Sequence, residues 1–454
     1  MKTKNQWASK LGFIMATAGA GLGVGELSAN HAAIGLGNLW KFPYLMGRNG
    51  GASFLAVYLF FICILGIPVM MIEMSLGRRT RHDPVQAYGD INSNARIVGV
   101  FGVAAAFLIL SYYSVIGGWI LKYIVSYAST YQAPEDFTAF ISSPVEPVFW
   151  HFLFLFVTTV ICCFGINGIE KVSKIMMPLL FLLLIVIIVR GVTLPNAEEG
   201  LRFIFIPNRS AFNMTAVSAA LGQVFYSLSL CMGITITYGS YLSDKENIPR
   251  SCLSVAGLDT IIALMAGTAI FPAVFSFGLE PGQGPGLIFG TLPKVFSSIR
   301  FGPFFALVFF TLVFFAAVTS AIALLEVTVS FALDTMRLSR RTGTILLGTA
   351  CFLVGIPSAL SFGTLGNVTI LNYSVFDFVG MITDNILLPM GGVTMCYYIG
   401  WKWDPNNLVD EIEKDGIPFK LKKLWILCIR FLTPIMVLVV TLTGFYNIYM
   451  TVRG

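Results

Sequence analysis

Apolar residues run along the chain in eleven windows, near residues 9–47, 51–76, 97–126, 146–164, 172–193, 214–241, 250–278, 301–333, 343–361, 372–399 and 424–449. Each is long enough for a helix that spans lipid, which takes about 20 apolar residues. Polar and charged residues collect in the short connections between them. Two windows are interrupted. The first contains Gly35-Leu36-Gly37-Asn38, and the sixth contains Ser227-Leu228-Ser229-Leu230-Cys231-Met232-Gly233. The pattern predicts an all-α polytopic membrane protein with eleven transmembrane helices, of which helices 1 and 6 are discontinuous.

Charge then orients the helices. With the N-terminus cytoplasmic, most of the 29 lysines and arginines fall on the cytoplasmic side, among them Arg78, Arg79, Arg81, Arg337, Arg340, Arg341, Lys420, Lys422 and Lys423. The connection 131–147 carries Glu135, Asp136 and Glu146 with no cation, as an outer loop should. The connections 194–213 and 279–300 are longer and rich in glycine and proline, and also fall outside, where loops of this kind serve as lids.

Composition agrees with lipid as the solvent. Only 11% of the 454 residues are charged, against about 25% in soluble domains. The mean hydropathy of +0.80 leaves too few polar side chains to cover a water-facing surface. The net charge of +6 is anchoring charge at the cytoplasmic leaflet and implies no nucleic acid. All eight cysteines lie in or beside apolar runs, so no disulfide framework is expected. Three histidines, no H-E-x-x-H and no nucleophile-base set leave nothing for an enzyme. Lys2, Lys4 and Lys10 before an apolar stretch mimic a signal peptide, but no cleavage site leads into a soluble domain, and the stretch reads as the first span. The expected product is one membrane domain over residues 1–454, multi-pass in the inner (plasma) membrane of the cell, of undetermined oligomeric state.

Ionisable residues at membrane depth are candidates for function, because each costs about 2.5–3.5 kcal/mol at mid-helix. Asp259 is the deepest, and a carboxylate there requires a cation, a proton or a dense set of donors. Glu326 lies within span eight, and Asp377 and Asp384 in span ten. Glu73 and Asp334 end their spans and read equally well as charges reaching the interface. The two helix breaks sit first in successive five-span blocks. Unwound backbone at the midplane survives only where it lines protein or water, and its released carbonyl and amide groups bind ions and substrate. Matched placement is the signature of an inverted-repeat secondary transporter, with repeats over about 7–193 and 214–399 and an extra helix over about 424–449.

Residues 35–43, Gly-Leu-Gly-Asn-Leu-Trp-Lys-Phe-Pro, followed by Asn49-Gly50-Gly51, resemble the first-helix signature of the neurotransmitter:sodium symporter family, in its bacterial amino-acid branch. Further matches run along the chain: Pro68 to Glu73 with Gly77-Arg78, Tyr112-Tyr113, Gly222 to Phe225, Ser227 to Ser229, and Thr319-Ser320. The resemblance implies a LeuT-type fold with a 5+5 inverted repeat and symport of sodium with neutral amino acids. It implies two Na+ ions. One would be held by the Ala33 carbonyl, Asn38, Ser227, Asp259 and the substrate carboxylate; the other by the carbonyls of Gly19, Ile34 and Ala316 with Thr319 and Ser320. Hard oxygen ligands suit a hard cation. Tyr58, Gln223 and Ser227 occupy positions that help hold chloride in chloride-dependent relatives. Asp259 stands beside them as a fixed negative charge, and transport independent of chloride is expected.

By the same resemblance the substrate carboxylate would be held by the Tyr113 hydroxyl and the Gly35 and Gly37 amides, and its ammonium by the Tyr226 and Ser229 carbonyls. Glycine at position 35, where amine carriers have Asp, points to a substrate with its own carboxylate. Ile109, Met232, Ala321, Leu324 and Tyr226 would form an apolar side-chain wall, with an adaptable Met, for aliphatic or aromatic side chains. Lys41 and Asp377 above a Tyr226 lid would gate the outside, and Lys4 with Trp7 against Asp334 and Tyr241 the inside. Lys replaces the usual Arg at both gates and lacks its bidentate fork. Gly168 and Pro178 resemble a helix-5 motif whose unwinding admits water to the second sodium. One stretch departs from the family: residues 21–32 are additional, and residues 20–26 partly repeat 32–38, so that Glu26, Asn30 and His31 would enter near membrane depth. The expected function is sodium-coupled import of hydrophobic L-amino acids; the alternative is a transport-inactive amino-acid sensor on the same scaffold.

Overall fold

The computed structural model describes residues 6–21, 37–39, 41–134, 136–207, 213–278 and 287–453. The first crossing is a pair of half-helices, α1 (Lys10–Gly21) and α2 (Lys41–Arg48), and four unbroken helices follow: α3 (Ala52–Thr80), α4 (Ser93–Thr130), α5 (Glu146–Cys163) and α6 (Gly165–Val192). The sixth crossing is again a pair, α7 (Met214–Ser227) and α8 (Ile234–Ser240), followed by α9 (Ile248–Ser276), α10 (Gly302–Asp334), α11 (Arg340–Leu360), α12 (Val375–Lys402) and α13 (Lys422–Arg453). Nine of these are continuous and each is long and apolar enough to cross a membrane. With the two half-helix pairs they make the eleven crossings expected, broken at the expected two. The calls that fall on Lys4, Ala33, Ile34, Gly35 and the additional segment from Leu22 onward lie outside the described residues.

α4 and α10 cross at the centre, and α1 packs against α6, α9 and α10. Their small and aromatic residues are fully covered, including Ala105, Ala106, Tyr112, Ala316, Ala317 and Ala321. The outer helices keep one apolar face bare: Phe152 and Phe156 on α5, Ile185 and Val189 on α6, Leu438 and Leu442 on α13 are all exposed. In a bilayer that face meets hydrocarbon, so exposure there costs nothing.

Three of these helices contain turns of wider π geometry, at Ile62–Gly66 in α3, Thr383–Leu387 and Tyr398–Lys402 in α12, and Cys428–Leu432 in α13. In all but Tyr398–Lys402 a proline follows two residues later, at Pro68, Pro389 and Pro434. Proline lacks the N–H that closes the regular turn and its ring crowds the preceding carbonyls; a local widening accommodates both without ending the helix. α6 begins earlier than the apolar pattern predicts, at Gly165 rather than near residue 172, and its polar first turns hold an i,i+4 pair, Glu170 with Lys174 at 2.6 Å.

Candidate functional site

The break between α7 and α8 is a run of alternating backbone handedness. Ser229, Cys231 and Gly233 have φ of 53°, 62° and 73°. Two of these are not glycine, and a left-handed L-residue costs roughly 1–2 kcal/mol, so the surroundings must hold the segment open. Glu73 does so. Its carboxylate, 1% exposed, accepts the Cys231 N–H at 3.1 Å and the Thr235 hydroxyl, bridging the end of one half-helix and the start of the next. Glu73 is therefore no helix-end charge at the interface. Gly233 has no room for a side chain: a Cβ there would lie 2.8 Å from Pro84 Cγ.

Asp259 from α9, Ser227 from the end of α7, Tyr58 from α3 and Asn38 from the turn before α2 meet in one buried cluster. Asn38 Nδ2 donates to Asp259 Oδ1 at 2.5 Å. The Ser227 hydroxyl lies 2.5 Å from Asp259 Oδ2 and 2.8 Å from Asn38 Oδ1, and the Tyr58 hydroxyl 2.6 Å from Ser227 Oγ and 3.0 Å from Asp259 Oδ2. Four short oxygen–oxygen contacts share two hydroxyl protons. Two hydroxyl protons cannot serve all four contacts at once, and a small hard cation among these oxygens fits that chemistry. Gln223, fully buried, hydrogen-bonds nothing through either end of its amide among the described residues.

A second oxygen cluster joins α1 to α10. The Thr319 hydroxyl lies 3.1 Å from the Gly19 carbonyl and 3.0 Å from that of Ala316; the Ser320 hydroxyl lies 3.0 and 3.1 Å from the same two oxygens. Gly19 thus stands with Ala316, Thr319 and Ser320 despite the additional residues that follow it in sequence. Again oxygens outnumber protons. Ile109, Met232, Ala321 and Leu324, the residues expected to face the substrate side chain, are completely buried, and Tyr226 nearly so. The Tyr113 and Ser229 side chains are buried as well; the Tyr113 hydroxyl is within reach of Ser320, and that of Ser229 has no hydrogen-bond partner among the described residues. Buried apolar side chains together with a few buried hydroxyls suit a neutral side chain with a charged backbone head.

Above this region the Lys41 ammonium sits 3.7 Å from the centre of the Tyr226 ring, while Asp377 accepts the Ser374 hydroxyl at 2.7 Å at the start of α12. At the opposite end Trp7 is buried. Its indole N–H donates to the Tyr238 carbonyl and its backbone N–H to the Tyr241 carbonyl, both at 3.2 Å. Asp334 faces the connection after α3, accepting the Asp83 N–H at 2.8 Å. Gly168 and Pro178 both lie within the unbroken α6, so the stretch expected to unwind is wound here. Glu170 within it holds the start of α1 by accepting the Ala8 N–H at 2.7 Å and the Ser9 hydroxyl at 2.8 Å.

Sequence reasoning missed two buried ion pairs, Arg78 with Glu411 at 2.6 Å and Arg340 with Glu326. Glu326, fully enclosed on α10, receives both Arg340 guanidinium nitrogens Nη1 and Nη2 and, at 2.7 Å, the Tyr241 hydroxyl. Arg340 read as one more anchoring cation; a charge at mid-span in α10 was the signal that a partner had to exist.

Residues 4–134 and 141–452 match the Sodium:neurotransmitter symporter family. The chain is 38% identical over 448 residues to YhdH, an uncharacterized sodium-dependent transporter of Bacillus subtilis, covering 96% of this chain and 97% of the relative. It is 35% identical over 469 residues to an uncharacterized sodium-dependent transporter of Haemophilus influenzae, covering 98% and 99%. The crystal structure of MhsT in complex with L-phenylalanine shares the fold with a TM-score of 0.86 at 44% identity, over 97% of this chain and 100% of MhsT. These relatives are transporters, not enzymes. A match that runs nearly end to end, on a scaffold with both half-helix pairs in place, means that this chain belongs to the sodium:neurotransmitter symporter family and is a multi-pass, sodium-dependent symporter with the LeuT-type fold.

Proposed function

We propose that the protein imports neutral hydrophobic L-amino acids, aliphatic and aromatic, together with two sodium ions and without a need for chloride, its two repeats covering about 7–193 and 214–399. What supports this is the complete burial of the apolar residues Ile109, Met232, Ala321 and Leu324, the positions expected to receive the substrate side chain, with the Tyr113 and Ser229 side chains buried as well. MhsT, solved with L-phenylalanine, supports the same substrate class.

In this reading one sodium enters among Asn38, Ser227 and Asp259 and relieves the crowded oxygens. The substrate carboxylate, bound by Tyr113 and by the amides of Gly35 and Gly37, completes that ion's ligand shell, so ion and amino acid each raise the other's affinity by the same factor. The second sodium enters among the carbonyls of Gly19, Ile34 and Ala316 with Thr319 and Ser320, and ties α1 to α10. Release of α1 from α6 and α8, with Lys4 and Trp7 leaving Asp334 and Tyr241, opens the inner side. Lys41, Asp377 and the Tyr226 lid close the outer one. Asp259 supplies a permanent negative charge where chloride-dependent relatives need an anion.

Uptake of radiolabelled L-phenylalanine and L-leucine into proteoliposomes tests the reading. Accumulation driven by an inward sodium gradient, unchanged when gluconate replaces chloride, is expected. Binding without accumulation would sink the transport reading, and loss of uptake in gluconate would sink chloride independence.

A further inference from the structure

At the end of the bundle opposite Trp7, an apolar groove opens between α6, α9 and the short helix Leu292–Ser298. Ile187 and Leu194 form one wall, Ala269 and Ala273 the floor, and Val295 and Phe309 the other wall. The space within is about 40 Å³. That exceeds the roughly 10–15 Å³ that one water needs, yet a buried water also needs two to four polar partners. Among the side chains lining this groove only Arg190 is polar. Water does not suit it; hydrocarbon does.

The groove is continuous with the bilayer-facing surface. Val189 is 57% exposed beside it on α6, and Phe301 and Phe304 are 67% and 58% exposed where α10 begins. Arg190 stands in the last turn of α6, where a spanning helix leaves the hydrocarbon. Its guanidinium donates to the Thr193 hydroxyl at 3.0 Å and lies 5.9 Å from the Phe305 ring, which leaves most of its five donors for another acceptor. The neighbouring Glu198 is engaged by Arg202 at 2.8 Å. An apolar slot with a cation at its mouth, set at the membrane boundary, matches a molecule with a hydrocarbon tail and a phosphate head.

We propose that this groove binds one phospholipid, with a few methylene groups of one acyl chain seated between α6, α9 and the helix Leu292–Ser298, the rest of the chain in the bilayer, and its phosphate on Arg190. The helix it underlies continues directly from Phe289, whose ring packs 5.1 Å from Phe137 and 5.7 Å from Trp119 and whose carbonyl accepts the Tyr123 hydroxyl at 2.6 Å. The lipid therefore braces the connection that covers this end of the molecule.

The full chain in phosphatidylcholine nanodiscs, doped with phosphatidylglycerol that carries a photoactivatable acyl chain, tests the assignment. Label located by mass spectrometry should concentrate at Ala269–Ala273 and Leu292–Ile299, at least fivefold above the exposed face of α13 around Leu438. Arg190→Gln should cut the groove label at least threefold and Ala273→Trp should abolish it, each leaving the α13 label unchanged as the measure of intact assembly. Ala269→Leu gives the second readout should the Trp variant fail to assemble. Label spread evenly over all lipid-facing helices overturns the site. Groove label that neither cavity-filling variant removes also overturns it, and label indifferent to Arg190→Gln overturns the phosphate assignment.

Discussion

Asp259 concentrates the chemistry of this protein in one side chain. A carboxylate with no exposed surface, surrounded by Asn38, Ser227 and Tyr58, has donors enough for its own lone pairs but not for all the oxygens gathered with it. Replacing Asp259 with Asn removes the fixed charge while keeping shape. The sodium concentration for half-maximal uptake should then rise by about tenfold or more, equivalent to about 1.4 kcal/mol, or uptake should acquire a requirement for chloride. Sodium titrations in chloride and in gluconate decide; unchanged curves would remove Asp259 from its role. Tyr113→Phe leaves the ring in place beside Phe154 and deletes only the hydroxyl. A hydrogen bond to a charged group is worth about 1.5–3 kcal/mol, so the substrate KM should rise by roughly one to two orders of magnitude with sodium affinity less affected. A KM unchanged in the variant would show that the carboxylate is held elsewhere. Asp259 was legible in sequence because a lone charge in an apolar run is expensive. Glu73 was not: at the end of its span it resembles an interfacial charge, and only the approach of Cys231 and Thr235 reveals a brace.

Helices of this chain are defined as much by where they fail as by where they run. The α7–α8 break stores left-handed backbone at Ser229 and Cys231 and is held from the side by Glu73 and Pro84. Gly233→Ala places a methyl group against Pro84 at φ 73°, and should destabilise the folded state by about 1–3 kcal/mol. A lower melting temperature of the purified variant, with substrate binding weakened, is expected; wild-type melting would mean that the break relaxes freely. The break was legible because small and polar residues interrupt an apolar run. Three of the π turns in the spanning helices follow a rule readable in retrospect, a proline two residues downstream, but periodicity alone does not distinguish a widened turn from a kink or an end. The winding of α6 through Gly168 and Pro178 was not legible, since, besides the local Lys174, Glu170 is held by Ala8 and Ser9, the residues just before α1 and some 160 positions away.

Across the whole molecule the side nearer the amino terminus is closed by buried charge as well as by Trp7. Glu326 and Arg340 join α10 to α11 and hold Tyr241 of the connection after α8. Removing one partner leaves an uncompensated charge, which costs about 3–5 kcal/mol, whereas removing both costs far less. Arg340→Ala should therefore assemble poorly, and Glu326→Gln combined with Arg340→Ala should recover a large part of the lost folded protein, measured by monodisperse yield. Equal loss in the single and double variants would mean that the pair serves packing and not charge balance.

Sequence by itself determined the solvent, the number of crossings, the two breaks and the family, because each is a local property: apolar length, interruption of that length, and short motifs such as residues 35–43. It also isolated Asp259, since burial of a charge is visible wherever the flanking residues are apolar. Tertiary structure alone decided which distant groups satisfy one another. Thr319 and Ser320 meet Gly19 across some 300 positions, Arg340 reaches Glu326 on another helix, and Glu170 caps α1. The physical reason is the range of the forces involved: hydropathy sums along the chain, but hydrogen bonds and ion pairs act over a few ångströms and exist only once packing has brought their partners together.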